Sequence, residues 1–517
     1  MKSCVVRKRI QNSAGFTESG IATTIDLEPG FGIPKACIIY YLDNNQTEYS
    51  TDISTQFRTV GIGFIGSTDS TITSNLTQRS VYTTQMDGVA ATGGTIVRRQ
   101  NNLTRGVFTN TTGGSTWWQV TTATFSTDQI TLNTSGSAAP TNVHLDCIVT
   151  AFGGNDLIVG VGNTIYPSTA GTGLSLSTLN FQPDVVFVAS SITTAGQGLT
   201  DDGRIAWGCA TRSPSLQKGI YWHNETPVTT VQVSSISSSN CLTTYWTNTG
   251  VGPYTFGMGP IYFGGFATTA GATVPSTLQA YNYLAMTTGN PSDFALLDLA
   301  TYTSTGSSFI GTGTSGFVPY TVIGGMVGCT TDNTRHTNVA SSSDGITLFA
   351  GYRSPHSVFY NGVGTLSVTS GNATVTGSGT EFGRLCAGTQ IYDSNGSLAG
   401  EVSTVSSKTG ISLRSTSLIS ITSASYLYTN PNQYAIAFGN SSSAATVNVW
   451  GGIGQTLLTY IRGFGLGTSF VEIGRADRDD TRPGLITNTL TSSGQSRRGW
   501  ILAIRDDSYG RRRGGIF

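Results

Sequence analysis

Apolar residues in this chain fall in short runs and not at helical spacing. Three runs are largely apolar at consecutive positions: Ala36-Cys-Ile-Ile-Tyr-Tyr-Leu42, Val185-Val-Phe-Val-Ala189 and Thr321-Val-Ile-Gly-Gly-Met-Val327. Others alternate, as Val143, Leu145, Cys147 and Val149 do. Alternation predicts a strand with one face on a core and one in solvent. A continuous run predicts a strand central in a sheet and covered on both faces. No segment of 12 or more residues carries a 3.6-residue period, and one turn of helix over 78–87 is the most the pattern predicts. Gly, Ser and Asn clusters separate the runs and supply tight turns. The predicted fold class is all-β, built of antiparallel sandwiches.

The runs recur in a fixed setting. Each of the three follows a Phe with a Pro two or three positions later: Phe31…Pro34, Phe181…Pro183 and Phe317…Pro319, with the Phe residues 150 and 136 apart. The blocks also close alike, on Gln129-Ile-Thr-Leu-Asn133 and Val143 to Val149, on Ala272-Thr-Val274 and Tyr281 to Met286, and on Thr489 to Gly494 and Gly499 to Ile504. A different texture fills residues 361–429, where very short strands alternate with Gly, Ser and Asn turns, as a small barrel or mini-sandwich would require. Removing that stretch leaves about 448 residues, or about 149 per block, close to the Phe spacing. The expected organisation is therefore three similar jelly-roll-like sandwich modules: 1–160, 161–300, and 301–360 plus 430–517. The insertion domain 361–429 sits in the third.

Composition agrees with strands and narrows the function classes. Gly contributes 66 of 517 residues, hydrophobics 38% and aromatics 10%, too apolar for a disordered chain. Formal net charge is zero, so nucleic acid is not expected as the main partner. Basic residues cluster near both ends. Arg7, Lys8, Arg9, Arg511, Arg512 and Arg513 are candidates for docking on an acidic neighbour, beside the plainer reading of a solvated charge run. Seven Cys without short spacing predict no disulfide framework and fit a reducing cytoplasm, and Cys37, Cys147 and Cys329 read as small buried hydrophobes. The opening residues lack the apolar stretch of a secretory signal, and no run is long enough for a membrane-spanning helix.

Chemistry-bearing patterns are weak. Gly61-Ile-Gly-Phe-Ile-Gly66 and Gly311-Thr-Gly-Thr-Ser-Gly316 match a dinucleotide string but lack its strand-to-helix setting. His144, His223, His336 and His356 never take ligand spacing. Asp201-Asp202-Gly203 is first a turn, and the Asp/Arg mixture at 475–482 reads as a salt-bridge patch ahead of a Ca²⁺ loop. No catalytic, cofactor or metal residue is assigned, and no enzyme activity is expected. Trp117, Trp118, Trp222 and Trp246 are candidate surface-contact aromatics, against the alternative that they are core residues.

Gly30-Phe-Gly-Ile-Pro-Lys-Ala, Asn180-Phe-Gln-Pro-Asp-Val-Val and Gly316-Phe-Val-Pro-Tyr-Thr-Val, with their closing strands, resemble a β module common in structural proteins of tailed bacteriophages. Gly364 to Phe382 is similar to a small β domain of phage tail and fibre proteins. The first copy departs by its extra residue between Phe and Pro, the third by Tyr320 where Asp or Lys would stand. The resemblance implies a non-catalytic virion component of tail, fibre or head surface, assembled in the host cytoplasm. Its expected partners are other virion proteins and copies of itself. The alternative is a fibre or adhesin component that binds a host receptor or glycan through the insertion.

Overall fold

The computed structural model describes residues 1–11, 21–44, 57–67, 73–86, 97–110, 116–135, 144–191, 202–225, 231–244, 254–271, 279–302, 309–314, 317, 320–328, 336–339, 345–352, 360–380, 382, 385, 389–407, 409–413, 415–429, 433–443, 446–454, 460–462, 470–474 and 497–505. Among them there is no α-helix, and every strand pairing is antiparallel.

Module 1 comprises β1 (Lys2–Gln11), β2 (Ile21–Asp26), β3 (Pro34–Asn44), β4 (Phe57–Gly66), β5 (Thr77–Met86), β6 (Val97–Asn102), β7 (Phe108–Asn110), β8 (Thr116–Ser126), β9 (Gln129–Ser135) and β10 (His144–Gly153). Module 2 comprises β11 (Ile158–Tyr166), β12 (Gly173–Leu176), β13 (Val185–Ser190), β14 (Asp202–Thr211), β15 (Leu216–Glu225), β16 (Val231–Ser237), β17 (Leu242–Thr244), β18 (Tyr254–Tyr262), β19 (Gly265–Ala270) and β20 (Gln279–Thr287). Module 3 begins with β21 (Phe294–Tyr302), β22 (Phe309–Thr314), β23 (Thr321–Gly328), β24 (His336–Val339) and β25 (Ile346–Tyr352). The insertion follows as β26 (Tyr360–Asn361), β27 (Thr365–Val368), β28 (Thr374–Ser378), β29 (Gln390–Asp393), β30 (Leu398–Ser407), β31 (Gly410–Leu413), β32 (Ile421–Ala424) and β33 (Tyr426–Thr429). Module 3 then resumes with β34 (Gln433–Ser443), β35 (Thr446–Gly454), β36 (Tyr460–Arg462), β37 (Phe470–Gly474) and β38 (Arg497–Ile504). The junctions between modules fall at 154–157 and 288–293, ahead of the breaks at 160 and 300 that spacing predicts, because Phe294 to Tyr302 pairs with β38 as the first strand of module 3. The helical turn expected over 78–87 is instead β5, held between β4 and β6.

The three modules share one topology. Their large sheets run β1-β10-β3-β4-β5-β6, β11-β20-β13-β14-β15-β16 and β21-β38-β23-β25-β34-β35. Their small sheets run β2-β9-β8-β7, β12-β19-β18-β17 and β22-β37-β36. The last strand always inserts between the first and third, and the second pairs with a late one. That roll-up of both ends is the jelly-roll feature. The third to sixth strands of modules 1 and 2, and β23, β25, β34 and β35 of module 3, depart from it by staying in one sheet as a meander. The insertion forms an eight-stranded sheet of its own around Leu366, Val375, Ile391, Val402, Ile411 and Tyr426. It occupies the hairpin between β25 and β34, where module 2 has only Arg212 to Ser215.

The continuous apolar runs have a specific cause. Each large sheet is buried on both faces. In β13, Val186 and Val188 join the core of the module's own sandwich, while Val185, Phe187 and Ala189 join a second core. In module 3, Val322, Ile501 and Ala503 face the sandwich, and Ile323, Trp500 and Leu502 face the second core. That second core is common to all three modules.

The modules meet head to tail and the ring closes. Strands β11, β20, β13 and β14 of module 2 pack on β4, β5 and β6 of module 1. In the same way β21, β38 and β23 pack on β14, β15 and β16 of module 2, and β1, β10 and β3 pack on β25, β34 and β35 of module 3. One heterologous contact repeated three times with closure is a threefold rotation. The single chain thus builds a pseudo-trimer, with three large sheets walling one axis.

Candidate functional site

Strand register identifies Tyr40, Ala189 and Gly325 as equivalent positions, paired with Ile62, Trp207 and Leu348 respectively. These residues converge on the axis. Trp207 of module 2 lies edge-on to Tyr40 at 5.8 Å and 5.9 Å from Phe64, both of module 1. It stacks on Phe187 of its own sheet at 5.6 Å and lies 5.5 Å from Trp500 of module 3. The Trp500 indole Nε1 donates to the Trp207 carbonyl at 3.3 Å. Gly325 must stay small here: a Cβ would meet Ile220 Cδ1 at 2.6 Å and Trp207 Cδ1 at 3.3 Å. The threefold relation holds in the backbone, and unequal side chains fill the axis.

Polar contacts fix each seam. Between modules 1 and 2, Asn101 Nδ2 donates to the Ala280 carbonyl and Asn282 Nδ2 to the Ser80 carbonyl, each at 2.8 Å. Asn101 Oδ1 accepts from Ser191 N at 2.8 Å. Between modules 2 and 3, Lys218 Nζ pairs with Asp298 at 2.6 Å, and β24 adds itself to the edge of β16. Between modules 3 and 1, Ser3 and Thr321, 318 residues apart in sequence, bring their hydroxyls within 2.7 Å.

The Phe-x-Pro turns of all modules lie at one end of this prism. Ser3 pairs opposite Phe152 at that end of module 1, and Thr321 follows the turn of module 3. Phe31, Phe181 and Phe317 are all buried, each under a different clamp. The Asp128 carboxylate accepts from Gly30 N at 2.8 Å and Gly32 N at 2.6 Å, so these donors hold its carboxyl below the usual carboxylate range. Gly264 N donates to the Phe181 carbonyl at 3.0 Å. The Arg505 guanidinium lies 5.1 Å over the Phe317 ring. Asp184, directly after Pro183, is buried against Arg212 at 2.5 Å and Thr287 at 2.7 Å. Exposed apolar side chains gather at the same end: Phe263 (76% exposed), Ile33, Ile158 and Leu216. The insertion is rooted there too and exposes Leu418 (67%) and Val363.

Several candidate residues sit elsewhere than the sequence suggests. Trp118 and Trp222 are fully buried and not surface contacts. Trp118 is in the module 1 core, and Trp222 meets Phe438 of module 3 edge-on at 5.4 Å. Arg7 and Lys8 are not on a free arm. They lie in β1, anchored by buried Cys4, Val5 and Ile10, and Arg7 Nη2 is 3.6 Å from Asp146. The side chains of Trp117, Arg9 and His144 lie outside the described residues, as do Trp246, Arg511, Arg512, Arg513, Asp201 and the 475–482 patch. So does Cys329. Cys4, Cys37, Cys147, Cys209 and Cys241 are buried, and burial pushes the Cys4 thiol up to about 11 and Cys241 to about 12. Gly61 to Gly66 lies within β4, so that glycine string is itself strand and not a strand-to-helix turn. Among the described residues no group of three acidic, His or Cys side chains could hold a metal ion. No family model, curated protein or solved structure matches the chain.

Residues that sequence reading passes over include Trp207, Asn101, Asn282 and Gly325. The one available signal is Asn282 inside the apolar strand Tyr281-Asn-Tyr-Leu-Ala-Met286. A polar residue there needs a buried partner.

Proposed function

We propose that this chain is a non-catalytic structural component of a phage-type virion, in the tail or on the head surface, working through protein–protein interfaces. The observation that carries the reading is the closed pseudo-threefold ring on a shared axial core. A chain of this design presents three similar module ends in one direction, without needing two further copies to make a trimer. Side chains fill its axis, so the chemistry it offers is at its surface. Phe263, Ile33, Ile158 and Leu216 at the Phe-x-Pro end supply apolar contact area. The resemblance of the three module openings to phage structural modules supports a phage-type particle. The test is quantitative mass spectrometry of purified particles from cells that make the chain. A fixed copy number per particle is expected. Its absence from particles overturns the reading. Removing Arg511 to Phe517 is expected to reduce incorporation, and unchanged incorporation would remove those residues from the docking surface.

A second reading has its own observation. The insertion owns a separate core, stands in place of a short hairpin and exposes Leu418 and Val363. Such a module suits contact with a host receptor or glycan. Host-cell adsorption of the full chain, compared with a variant in which 360–429 is replaced by a four-residue turn, separates the two. Lost adsorption favours receptor binding, and unchanged adsorption removes it.

A further inference from the structure

Strand β12 is the outermost strand of the small sheet of module 2. It pairs with β19 on one side, and among the described residues no strand covers the other. Residues 169–175 are exposed without interruption. Alternation fixes which backbone groups face outward. The Thr172 carbonyl accepts from Ala270 N, and the Leu174 and Leu176 carbonyls accept from Thr268 Oγ1 and Tyr262 OH. The intervening Gly173 and Ser175 therefore aim their N–H and C=O groups at the open edge. Their side chains are small and leave room for another backbone.

The repeat supplies an internal control. The equivalent strand β2 of module 1 ends on exposed Asp26, with Glu28 two residues on. Charges of this kind guard a sheet edge against pairing. No charged residue occurs anywhere from Leu157 to Pro183. Two copies of this edge can meet without like-charge repulsion, and Leu174, 37% exposed, gains an apolar partner when they do.

We infer that β12 is a self-pairing edge through which two copies of this chain join their small sheets across a twofold axis. The outward groups set the register. Gly173 pairs with Ser175 of the second copy and Ser175 with its Gly173, forming about four backbone hydrogen bonds. Leu174 then faces Leu174 of the second copy in a non-hydrogen-bonded pair with Cα atoms about 4.5 Å apart. Four residues make a small, weak contact, at the low end of interface sizes. It matters where copies are crowded, and in that respect it rests on the structural role proposed above.

The test uses the full chain. Leu174→Cys is expected to give a disulfide-linked dimer on mild oxidation, because the predicted Cα separation lies within the range of about 4.4–6.8 Å that a disulfide spans. Ser415→Cys on the insertion, also at an exposed position, is the control and is expected to cross-link at least about tenfold more slowly. Ser175→Pro removes an outward N–H without touching the pairing to β19, so the fold is retained. In analytical ultracentrifugation at high concentration the wild-type chain is expected to dimerise, and Ser175→Pro is expected to weaken that dimer at least about tenfold, since each copy loses one ladder hydrogen bond at the contact, about two of the four. Equal cross-linking by the two Cys variants, or a dimer indifferent to Ser175→Pro, overturns the inference. A β12 dimer in a chain absent from particles would remove the virion role and leave this interface standing.

Discussion

At the residue scale the ring depends on Trp207. Its indole touches side chains from all three modules, and no other side chain of the chain's repeat positions could fill that volume: the equivalents are Ile62 and Leu348. Trp207→Ala is expected to cost about 3–5 kcal/mol, the range for deleting a large buried aromatic. Denaturant titration of the two proteins measures it. A loss below about 1 kcal/mol would show that the axis is not packed around this residue. Gly325→Val acts by the opposite route, overfilling the same space against Ile220 and Trp207, and should also destabilise. Asp128 makes a pH-dependent contribution. Its folded pKa lies below the unfolded value of about 3.9, so its stabilisation is fully present above that value and fades as pH falls through the folded pKa. The stability gap between wild type and Asp128→Asn should therefore be present at pH 6 and shrink in acid below about pH 4. A gap constant with pH would exclude the carboxylate as its source.

At the element scale the described cysteines and the insertion can be tested separately. Buried thiols with raised pKa react slowly. Site-resolved alkylation of the native chain should leave Cys4, Cys37, Cys147, Cys209 and Cys241 unmodified and reach them only after unfolding. Native labelling at Cys37 or Cys147 would contradict the buried large sheets. The insertion leaves and re-enters between β25 and β34, whose Gly351 and Gln433 are paired. Replacing 360–429 with a four-residue turn should thus leave the ring folded, with unchanged near-ultraviolet circular dichroism from its tryptophans. Strands were well marked in the sequence, because apolar runs and Gly-rich turns report burial and chain reversal directly. What covers a strand was not. Val143, Leu145 and Cys147 alternate with the polar His144 and Asp146, which suggests one wet face, yet Leu145 to Phe152 is buried throughout. The intervening Asp146 lies against Arg7, and Thr150 on the same strand is also buried. Trp118 and Trp222 misled for the same reason. Their polar neighbours suggest a surface, and the faces they occupy are closed by sheets far away in sequence.

At the scale of the whole molecule, the Phe-x-Pro recurrence made repetition visible and could not reveal how the copies stand to one another. That relation comes from Asn101, Asn282, Lys218, Ser3 and Thr321, single residues whose partners lie between 80 and 318 positions away, with no local signature. The ring packs the three modules on one shared core with three similar ends facing one way, which is the basis of the assembly role proposed for it. Its closure rests on the seam between the first module and the third. There Ser3 and Thr321 bring their hydroxyls within 2.7 Å, and both residues are buried. A Ser3→Cys, Thr321→Cys pair, with Cys4→Ala to remove a competing thiol, places two sulfurs within disulfide geometry only if that seam is closed. Peptide mapping of the oxidised chain should find an intrachain 3–321 disulfide in a protein that still runs as a single chain. Free thiols at both positions, or a 3–321 link found solely between chains, would contradict the closed ring.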